Sequence, residues 1–440
     1  MDADVVVVGA GAAGIAAALE LHEHSLKTIV LEARDRIGGR VRWSNVGTVD
    51  VPAELGAEFI HGDAPETSAF LREAGLNKVE TGEASWTCTA AGELIPADDD
   101  FTSIDIFEAA RALNVDESVS TYLGRFDADP QTRTQARRAL AFVEGFEAAD
   151  PAVASARAIA EELRSGVDSA TWRPAGGYAP LFAHLAERCR RAALDLRLET
   201  VVERVAWERG AVTLQSRRPD GGRATVRARC AIVTIPVGVL RAQSAGPQLE
   251  FAPPLPAETR AAIEGLEMGH AVRVTLAFRS PFWETLAGGR YRDAAFFRCE
   301  AGPYTAFWTQ WPSRDRTIVA WAGGPRALAL GGLPDRERVE RARDEFGALF
   351  GETERARSEC EGGVTHDWSV DPFARGAYSY VATGAGAARE NLARSVEATL
   401  FFAGEATALD GQGGTVSGAF GTGTRAAREV ARALKETCAR

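Results

Sequence analysis

Three glycines near the start of the chain have the spacing of a dinucleotide-binding turn. They lie in the run Gly9-Ala10-Gly11-Ala12-Ala13-Gly14, directly after four valines. In such a run Gly9 permits the tight turn, Gly11 lets the backbone approach a pyrophosphate, and Gly14 lets the next helix lie close to the strand. The free N–H groups at the start of that helix attract phosphates. We therefore predict a dinucleotide site here.

An acidic residue follows at the distance this site requires. Glu32 closes the next apolar run, Thr28-Ile29-Val30-Leu31, about 20 residues after the glycines. A carboxylate in this position accepts hydrogen bonds from a ribose. The order strand, glycine turn, helix, strand and acid predicts a βαβ unit at the start of an α/β domain.

The residues after Glu32 indicate which dinucleotide binds. Arg34, Arg36 and Arg40 flank the pair Gly38-Gly39. Glycines suit a chain that passes close to a diphosphate, and arginines neutralise its charge. This run resembles the second phosphate-side motif of FAD-dependent oxidases and desaturases. FAD is therefore favoured, with NAD as the minor alternative.

Bulk properties fit an enzyme with two domains. The chain has 440 residues, of which 45% are hydrophobic, and this length exceeds one small domain. The net charge of −11 argues against nucleic acid as a partner and is compatible with a cationic substrate. We expect no membrane association, because no apolar run reaches the roughly 18 residues of a span. The first strand begins too early for a signal peptide, and we expect a cytoplasmic protein.

The cysteines and lysines give two further expectations. No cysteine spacing indicates a zinc site or a disulfide framework, so we expect free thiols and no metal. The cysteines are Cys88, Cys189, Cys230, Cys299, Cys360 and Cys438. Only three of the 50 basic residues are lysines, and this bias bears on one candidate site residue.

Helices and strands can be predicted along the rest of the chain from hydrophobic periodicity and turn residues. Helices are expected over residues 104–114, 130–147, 155–165, 178–194, 335–350 and 414–434. Strands are expected over residues 196–208, 211–217, 223–234, 272–278, 304–310, 317–321 and 400–405, the last of which ends in an acid. The first three of these strands would form a meander.

Sequence-distant segments are expected to build one cofactor domain. We predict an α/β fold in which a Rossmann-like FAD-binding domain is interleaved with an α+β substrate-binding domain. The FAD-binding domain would consist of residues 1–75, 175–250 and 385–440. Residues 76–174 and 251–384 would form the substrate-binding domain.

Six segments, in order and spanning almost the whole chain, together resemble the flavin-containing amine oxidase family. They are residues 9–14, 37–40, 54–62, 231–240, 371–380 and 402–407. The variants Ile60-His61-Gly62 and Tyr378-Ser379-Tyr380-Val381 look most like polyamine oxidases and flavin histone lysine demethylases. The chromatin-binding domain and long helical insertion of those demethylases are absent from this sequence, which favours a small-molecule amine as substrate.

The resemblance implies a reaction that needs little acid–base machinery. Family members transfer a hydride from the carbon beside an uncharged amine to FAD, and water hydrolyses the resulting imine to aldehyde and amine. O2 then reoxidises the flavin and becomes H2O2. The protein must bind FAD, orient the C–H bond and exclude water. The cysteine that carries a covalent flavin in monoamine oxidases corresponds to Ala377, so noncovalent FAD is expected.

The same resemblance assigns residues to the cofactor. Gly56 and Ala57 match the loop that passes over the flavin, and Glu405 matches the acid at the ribityl chain. Thr415 and Val416 match the helix start that faces the pyrimidine end of the ring, where N–H groups stabilise negative charge. Val202 matches a valine facing the adenine, although packing in a strand would explain it equally well.

Four residues match the substrate side of the flavin. Tyr378 lines this side in relatives, while Thr415 replaces the second aromatic of the monoamine oxidase cage, which implies a more open slot. His61 matches a histidine near the amine; as a neutral imidazole it could orient the amine or relay a proton. Trp368 matches a tryptophan beside a lysine that holds a water at the flavin. A purely structural role is the alternative for Tyr378, His61 and Trp368.

The chain departs from the family at Arg273, which stands where that lysine is expected. Guanidinium is larger than ammonium, planar and always charged. In one interpretation Arg273 reflects the lysine-poor composition and the enzyme is a working oxidase. In a second it binds a substrate carboxylate, so that the substrate is an amino acid or a related amine. In a third O2 activation is impaired, leaving a dehydrogenase with another acceptor or a binding flavoprotein.

Overall fold

A parallel sheet assembled from distant segments carries the glycine turn. The computed structural model describes residues 1–46, 50–82, 84–89, 91–97, 100–165, 170–241, 248–299 and 301–438. Across the sheet the strands follow the order Asp195–Arg197, Thr28–Leu31, Val5–Val8, Cys230–Val233 and Leu400–Phe402. Neighbouring strands are parallel throughout. Val5–Val8 is buried along its length, as expected for a central parallel strand covered on both faces.

Alternate residues of this central strand face two different cores. Val5 and Val7 pack among helices, whereas Val6 and Val8 pack against an antiparallel meander. The helices are Ala12–Glu23, Ala179–Arg191 and Val416–Cys438. The meander strands are Val201–Glu208, Ala211–Arg217 and Arg223–Ala228, with Glu250–Ala252 parallel to the first of them. This arrangement confirms the expected α/β class with a Rossmann-like sheet.

Two predicted strands are each divided between the two sheets. The strand expected at 196–208 is broken at Glu199, whose φ is +50°, so Asp195–Arg197 joins the parallel sheet and Val201–Glu208 the meander. The strand expected at 223–234 likewise separates into Arg223–Ala228 and Cys230–Val233. Alternation along the sequence does not reveal such a division, because both halves have strand periodicity.

A second, mainly antiparallel sheet forms the other half of the molecule. Its strands follow the order Cys360–Asp367, Ala271–Phe278, Thr317–Gly323, Ala306–Trp308, Phe296–Arg298, Ser85–Cys88 and Leu94–Pro96. Smaller sheets pair Leu266–Met268 with Ser379–Val381, Trp43–Asn45 with Pro52–Glu54, and Thr171–Pro174 with Ile60–His61 and Lys78–Glu80. An aromatic core with Phe278, Phe307 and Phe346 lies on one face of the large sheet.

The remaining helices surround these sheets. The α-helices are Pro65–Glu73, Val119–Leu123, Pro130–Gly145, Ala156–Leu163, Val237–Leu240, Ala257–Glu264, Gly324–Gly331, Asp335–Ala348, Thr353–Glu359 and Ala388–Ala393. Short 3-10 segments occur at Gly124–Phe126, Phe282–Gly289 and Glu405–Thr407. The predicted helices at 130–147, 155–165 and 335–350 are confirmed, whereas the helix expected at 104–114 is a 3-10 segment, Asp100–Ala112. Among the described residues no helix is long and apolar enough to cross a membrane.

Candidate active site

One cavity of about 1130 Å³ extends from the parallel sheet to the antiparallel sheet. Of the residues predicted for the site, all except Gly14 line it. They are Gly9, Gly11, Glu32, Arg34, Gly39, Arg40, Gly56, Ala57, His61, Val202, Arg273, Trp368, Tyr378, Glu405, Thr415 and Val416. The structure thus brings together residues that are more than 400 positions apart in the chain.

The glycine turn has the shape that a pyrophosphate requires. A Cβ atom on Gly14 would lie 1.9 Å from the carbonyl oxygen of Gly9, whereas one on Gly11 would meet only the Cα of Gly39, at 3.9 Å. Gly14 therefore packs the helix onto the turn, and Gly11 leaves room beside the cavity. No side chain caps the helix that begins after Gly11, so its first N–H groups are available to an anion. These residues fit a dinucleotide.

Glu32 connects the turn to the segment that follows it. One carboxylate oxygen accepts a hydrogen bond from the Ala10 N–H at 2.6 Å, and the other accepts one from the Arg34 N–H at 2.8 Å. Burial raises the pKa of this carboxyl, while those two bonds act in the opposite direction. Each oxygen keeps a second lone pair, and the acceptance of ribose hydroxyls by Glu32 stays a prediction.

The arginines expected to neutralise a diphosphate already have partners in the protein. Arg34 forms a bidentate pair with Asp371, with N–O distances of 3.0 and 2.6 Å. Arg36 donates to the carbonyls of Gly39 and Val41 and so holds the second glycine loop. The sequence reasoning missed Asp371, which is over 300 residues away from Arg34.

Glu405 organises the far end of the cofactor region. One of its oxygens accepts from Arg40 at 2.8 Å, and the other from the Ser379 hydroxyl at 2.7 Å and the Gly414 N–H at 3.1 Å. Burial alone would raise the pKa of this carboxyl, but the charges of Arg40 and Arg389 hold it below its usual range. Glu405 is therefore ionised and fixes the loop that leads into the last helix.

Thr415 is the N-cap of that last helix. Its hydroxyl accepts a hydrogen bond from the Gly418 N–H at 3.0 Å and lies 2.9 Å from the Gln412 carbonyl oxygen, to which it donates. A capping threonine fixes the direction of the helix start. Thr415 and Val416 thereby place the N-terminal end of the helix at the cavity, and its role toward the flavin ring stays a prediction.

Gly56 lies in a crowded part of the cavity wall. A Cβ atom here would be 1.8 Å from the carbonyl oxygen of Arg40 and 3.1 Å from the Trp368 ring. Trp368 is buried and donates from Nε1 to the Leu55 carbonyl at 2.9 Å. Trp368 thus supports the loop of Gly56 and Ala57 from behind.

Arg273 has an ion-pair partner that the sequence reasoning missed. Its Nη2 lies 2.6 Å from Oε2 of Glu58, and its Nη1 donates to the Gly56 carbonyl at 3.2 Å. Both charged side chains are almost fully buried. Glu58 lies within the motif at residues 54–62, but nothing in its spacing or local composition indicates that Arg273 is its partner.

Glu58 also accepts from three other side chains. Arg173 donates to it at 2.6 Å, Trp308 at 3.1 Å and Gln310 at 3.2 Å. Although burial acts to raise it, the pKa of Glu58 is lowered to about 2 by Arg273 and Arg173. Two buried guanidinium groups therefore share one ionised carboxylate beside the Gly56 loop.

Tyr378, His61 and Phe146 lie close together in the lining of the cavity. The Tyr378 hydroxyl donates to the Phe146 carbonyl, and burial raises the pKa of this phenol. The Phe146 ring meets the imidazole of His61 edge-on, with centroids 5.0 Å apart. Burial lowers the pKa of His61 to about 4, and among the described residues its Nδ1 atom has no hydrogen-bond partner. His61 is therefore a neutral imidazole at physiological pH.

The buried His61 is expected to destabilise the fold in mild acid. Its pKa is about 4 in the folded chain and 6.5 without burial, so between these values the unfolded chain binds the proton more tightly. The resulting loss of unfolding free energy is absent above pH 6.5, the pKa of His61 in the unfolded chain, and reaches about 2 kcal/mol near pH 5. We expect wild type to lose more unfolding free energy than His61→Gln between about pH 7.5 and pH 5 in denaturant titrations.

The comparison with His61→Gln is needed because protonation of Glu54 changes the stability of the fold in the opposite direction. Burial raises the pKa of Glu54 to about 7, so its proton stabilises the fold as the pH decreases through the same range. The two proteins differ only at position 61. Parallel pH profiles for them would contradict a neutral buried His61.

Among the described residues no group of histidine, cysteine, aspartate and glutamate side chains could hold a metal ion. Cys88, Cys189, Cys230, Cys299 and Cys360 are free thiols, as expected. The thiol of Cys438 lies outside the described side chains.

Comparisons with known proteins agree with this geometry. The family model for flavin containing amine oxidoreductases matches residues 12–431. Human lysine-specific histone demethylase 2 is 27% identical over 97% of this chain, and the alignment covers 53% of that protein. Probable polyamine oxidase 4 of Arabidopsis thaliana is 27% identical over 98% of this chain and 88% of its own length. The chain thus spans about half the length of the demethylase.

Solved structures share the fold. A putrescine oxidase bound to putrescine superimposes with a TM-score of 0.76 at 22% identity, covering 100% of both chains. Cyclohexylamine oxidase from Brevibacterium oxydans superimposes with a TM-score of 0.79 at 22% identity, also over 100% of both chains.

Proposed function

Because this chain belongs to the family of flavin-containing amine oxidoreductases, its cofactor is a flavin, and we propose that it oxidises the C–N bond of a secondary amine or polyamine with noncovalently bound FAD. The continuous cavity carries this proposal, because it joins the glycine turn to Arg273, Tyr378 and His61. Ala377 offers no side-chain nucleophile to the flavin, which supports noncovalent binding. We further propose O2 as the electron acceptor.

The protein groups divide into those that hold FAD and those that face the amine. Bound FAD would accept a hydride from the carbon beside nitrogen, and O2 would reoxidise it to give H2O2. Glu32, Glu405 and the helix starting at Val416 would hold the cofactor. Released imine would be hydrolysed by water to an aldehyde and an amine.

Aromatic side chains make part of the substrate region apolar. Phe59 and Trp308 pack with ring centroids 5.4 Å apart and both line the cavity. The imidazole of His61, which is neutral at physiological pH, packs against Phe59 with ring centroids 5.9 Å apart. An uncharged amine has the nitrogen lone pair that C–H oxidation requires.

Arg273 is best interpreted as a working part of this site. Its guanidinium already pairs with Glu58, so the binding of a substrate carboxylate by Arg273 has less support than the oxidase interpretation. In this interpretation the arginine reflects the lysine-poor composition of the chain.

Anaerobic flavin bleaching tests the proposed function directly. Purified yellow protein is mixed with polyamines, monoamines and amino acids without O2, and air is then admitted. We expect bleaching by secondary amines or polyamines, followed by rapid return of the yellow colour and release of H2O2. Bleaching by amino acids alone would support the carboxylate interpretation of Arg273. Bleaching without recovery in air would indicate a dehydrogenase, and no bleaching by any amine would contradict amine oxidation.

A further inference from the structure

Two cysteines lie side by side at the ends of neighbouring strands in the large sheet. The strands Ser85–Cys88 and Phe296–Arg298 are parallel, and Thr87 lies opposite the last residue of the second strand. The next residues in this register are Cys88 and Cys299. Residues directly opposite on neighbouring strands point to the same face. Such strands lie about 4.8 Å apart, within the roughly 4.4–6.8 Å between Cα atoms that a disulfide spans.

The two thiols interact in the folded chain. Burial, a hydrogen bond with Cys299 and the charge of Cys299 together raise the pKa of Cys88 to about 11. Both cysteines are free and half-buried. They pack against the edge of the aromatic core that contains Phe297. The sheet therefore holds a pair of thiols in a position to be oxidised to a disulfide.

The other described thiols have different surroundings. Cys189 and Cys230 are buried in the core on the helix side of the parallel sheet. The thiol of Cys360 is half-buried and donates to the Gly362 carbonyl at 3.5 Å, and burial raises its pKa. A second cysteine changes the pKa of none of these three thiols. Among the described cysteines, the contact between two thiols is specific to Cys88 and Cys299.

Cys299 also differs from the other described cysteines in its relation to the cavity. It lines the cavity, together with Thr87 and Ile95 from the neighbouring hairpin, whereas Cys88, Cys189, Cys230 and Cys360 do not. Under the proposed function, H2O2 forms at the flavin in this cavity. The product of the reaction and the thiol of Cys299 therefore share one enclosed space.

We propose that Cys88 and Cys299 are a redox-active pair that H2O2 converts to a disulfide. The inference rests on the proposed function for the source of H2O2. In the first step the Cys299 sulfur attacks one peroxide oxygen, the O–O bond breaks, and the thiol becomes a sulfenic acid with release of one water. The Cys88 sulfur then attacks the sulfenic sulfur, and the hydroxyl leaves with the Cys88 proton as a second water. Two thiols thus lose two electrons, and one H2O2 is reduced.

The order of these steps follows from the two environments. Cys299 lines the cavity and Cys88 does not, and a thiol with a raised pKa is a poor first nucleophile. The disulfide would attach the hairpin of Ser85–Cys88 and Leu94–Pro96 covalently to the strand Phe296–Arg298. Both strands of this hairpin contribute residues to the cavity lining. Oxidation would therefore fix one part of the cavity wall.

Peptide mapping without reductant tests the pair. Trypsin cleaves after Lys78, Arg111, Arg298 and Arg314, so Cys88 and Cys299 fall in separate peptides, 79–111 and 299–314. Purified, flavin-loaded protein is treated with H2O2 in the absence of any amine. We expect the two peptides to become joined and to separate again with dithiothreitol. The joined peptide should form at least roughly ten-fold faster than Cys360 is oxidised. If Cys88 and Cys299 stay thiols while Cys360 is oxidised, the proposal is wrong.

Single substitutions separate the roles of the two cysteines. In Cys88→Ser the sulfenic acid on Cys299 has no thiol to attack it, so dimedone should label Cys299. In Cys299→Ser the thiol of Cys88 should stay reduced under the same treatment. Cys360→Ser is the matched control and should form the joined peptide at the wild-type rate. Flavin absorbance shows that each variant is folded and loaded. Labelling of Cys88 in Cys299→Ser as fast as that of Cys299 in Cys88→Ser would overturn the assigned order.

Turnover in air distinguishes this proposal from the proposed function. Oxidation of an amine should give the same joined peptide without added H2O2. A disulfide formed by added H2O2, together with no bleaching by any amine, would support the thiol pair and contradict amine oxidation. Rapid bleaching and recovery in a protein whose two thiols resist added H2O2 would support amine oxidation and reject the thiol pair.

Discussion

The Gly14→Ala variant is expected to yield little or no soluble, flavin-loaded protein. The new Cβ would lie 1.9 Å from the Gly9 carbonyl oxygen and 3.0 Å from the Thr234 hydroxyl, so the first helix would have to move away from the central strand. The yield of soluble protein and its ratio of flavin to protein absorbance measure the effect. Gly124→Ala is the control, because a Cβ there meets nothing within 4 Å.

Gly11→Ala separates cofactor binding from folding. Its Cβ would make only ordinary contact, 3.9 Å from the Gly39 Cα, so the apoprotein should melt at the wild-type temperature. If the pyrophosphate passes over Gly11 as proposed, the dissociation constant for FAD should rise roughly ten-fold or more. Wild-type FAD affinity in Gly11→Ala would contradict this position for the cofactor.

Glu58→Ala is expected to cost about 3–5 kcal/mol of unfolding free energy, because it leaves Arg273 and Arg173 buried without their shared carboxylate. Chemical denaturation of the two purified proteins measures the difference. Polar contacts from Trp308 and Gln310 would be lost as well. This loss is large compared with the total stability of a typical domain.

A double-mutant cycle shows whether the ion pair is responsible. Arg273→Met alone leaves Glu58 with Arg173 and should cost less than Glu58→Ala. Arg273→Met combined with Glu58→Ala should cost less than the sum of the single changes, because the second change removes a charge that the first left unpaired. Additive costs would indicate that Arg273 and Glu58 act independently.

The first βαβ unit could be predicted from sequence because its signals are local. Gly9, Gly14 and Glu32 lie within one short segment whose hydrophobic runs define the two strands. The residues that matched family motifs also line one cavity, because such motifs contain residues that lie close together in the folded protein. The residue partners of Arg34 and Arg273 could not be found in the same way.

Asp371 and Glu58 illustrate why. Each meets its arginine only after the antiparallel sheet has been placed against the parallel sheet, and neither spacing along the chain nor local composition encodes that contact. The division of 223–234 into two strands has the same origin. Arg229 separates strands that belong to different sheets, and strand periodicity on either side of it is equally good.

The order of strands in the parallel sheet has a consequence for how the protein is made. Leu400–Phe402 is an edge strand of the parallel sheet whose central strand is Val5–Val8. The helix Val416–Cys438 packs on the helix Ala12–Glu23, where Gly423 lies against the backbone of Ala13. During translation the sheet around the glycine turn therefore cannot be completed until almost the entire remaining chain has left the ribosome. We therefore expect the cofactor to be captured late in biosynthesis, and until then the strands of the unfinished sheet have unpaired edges.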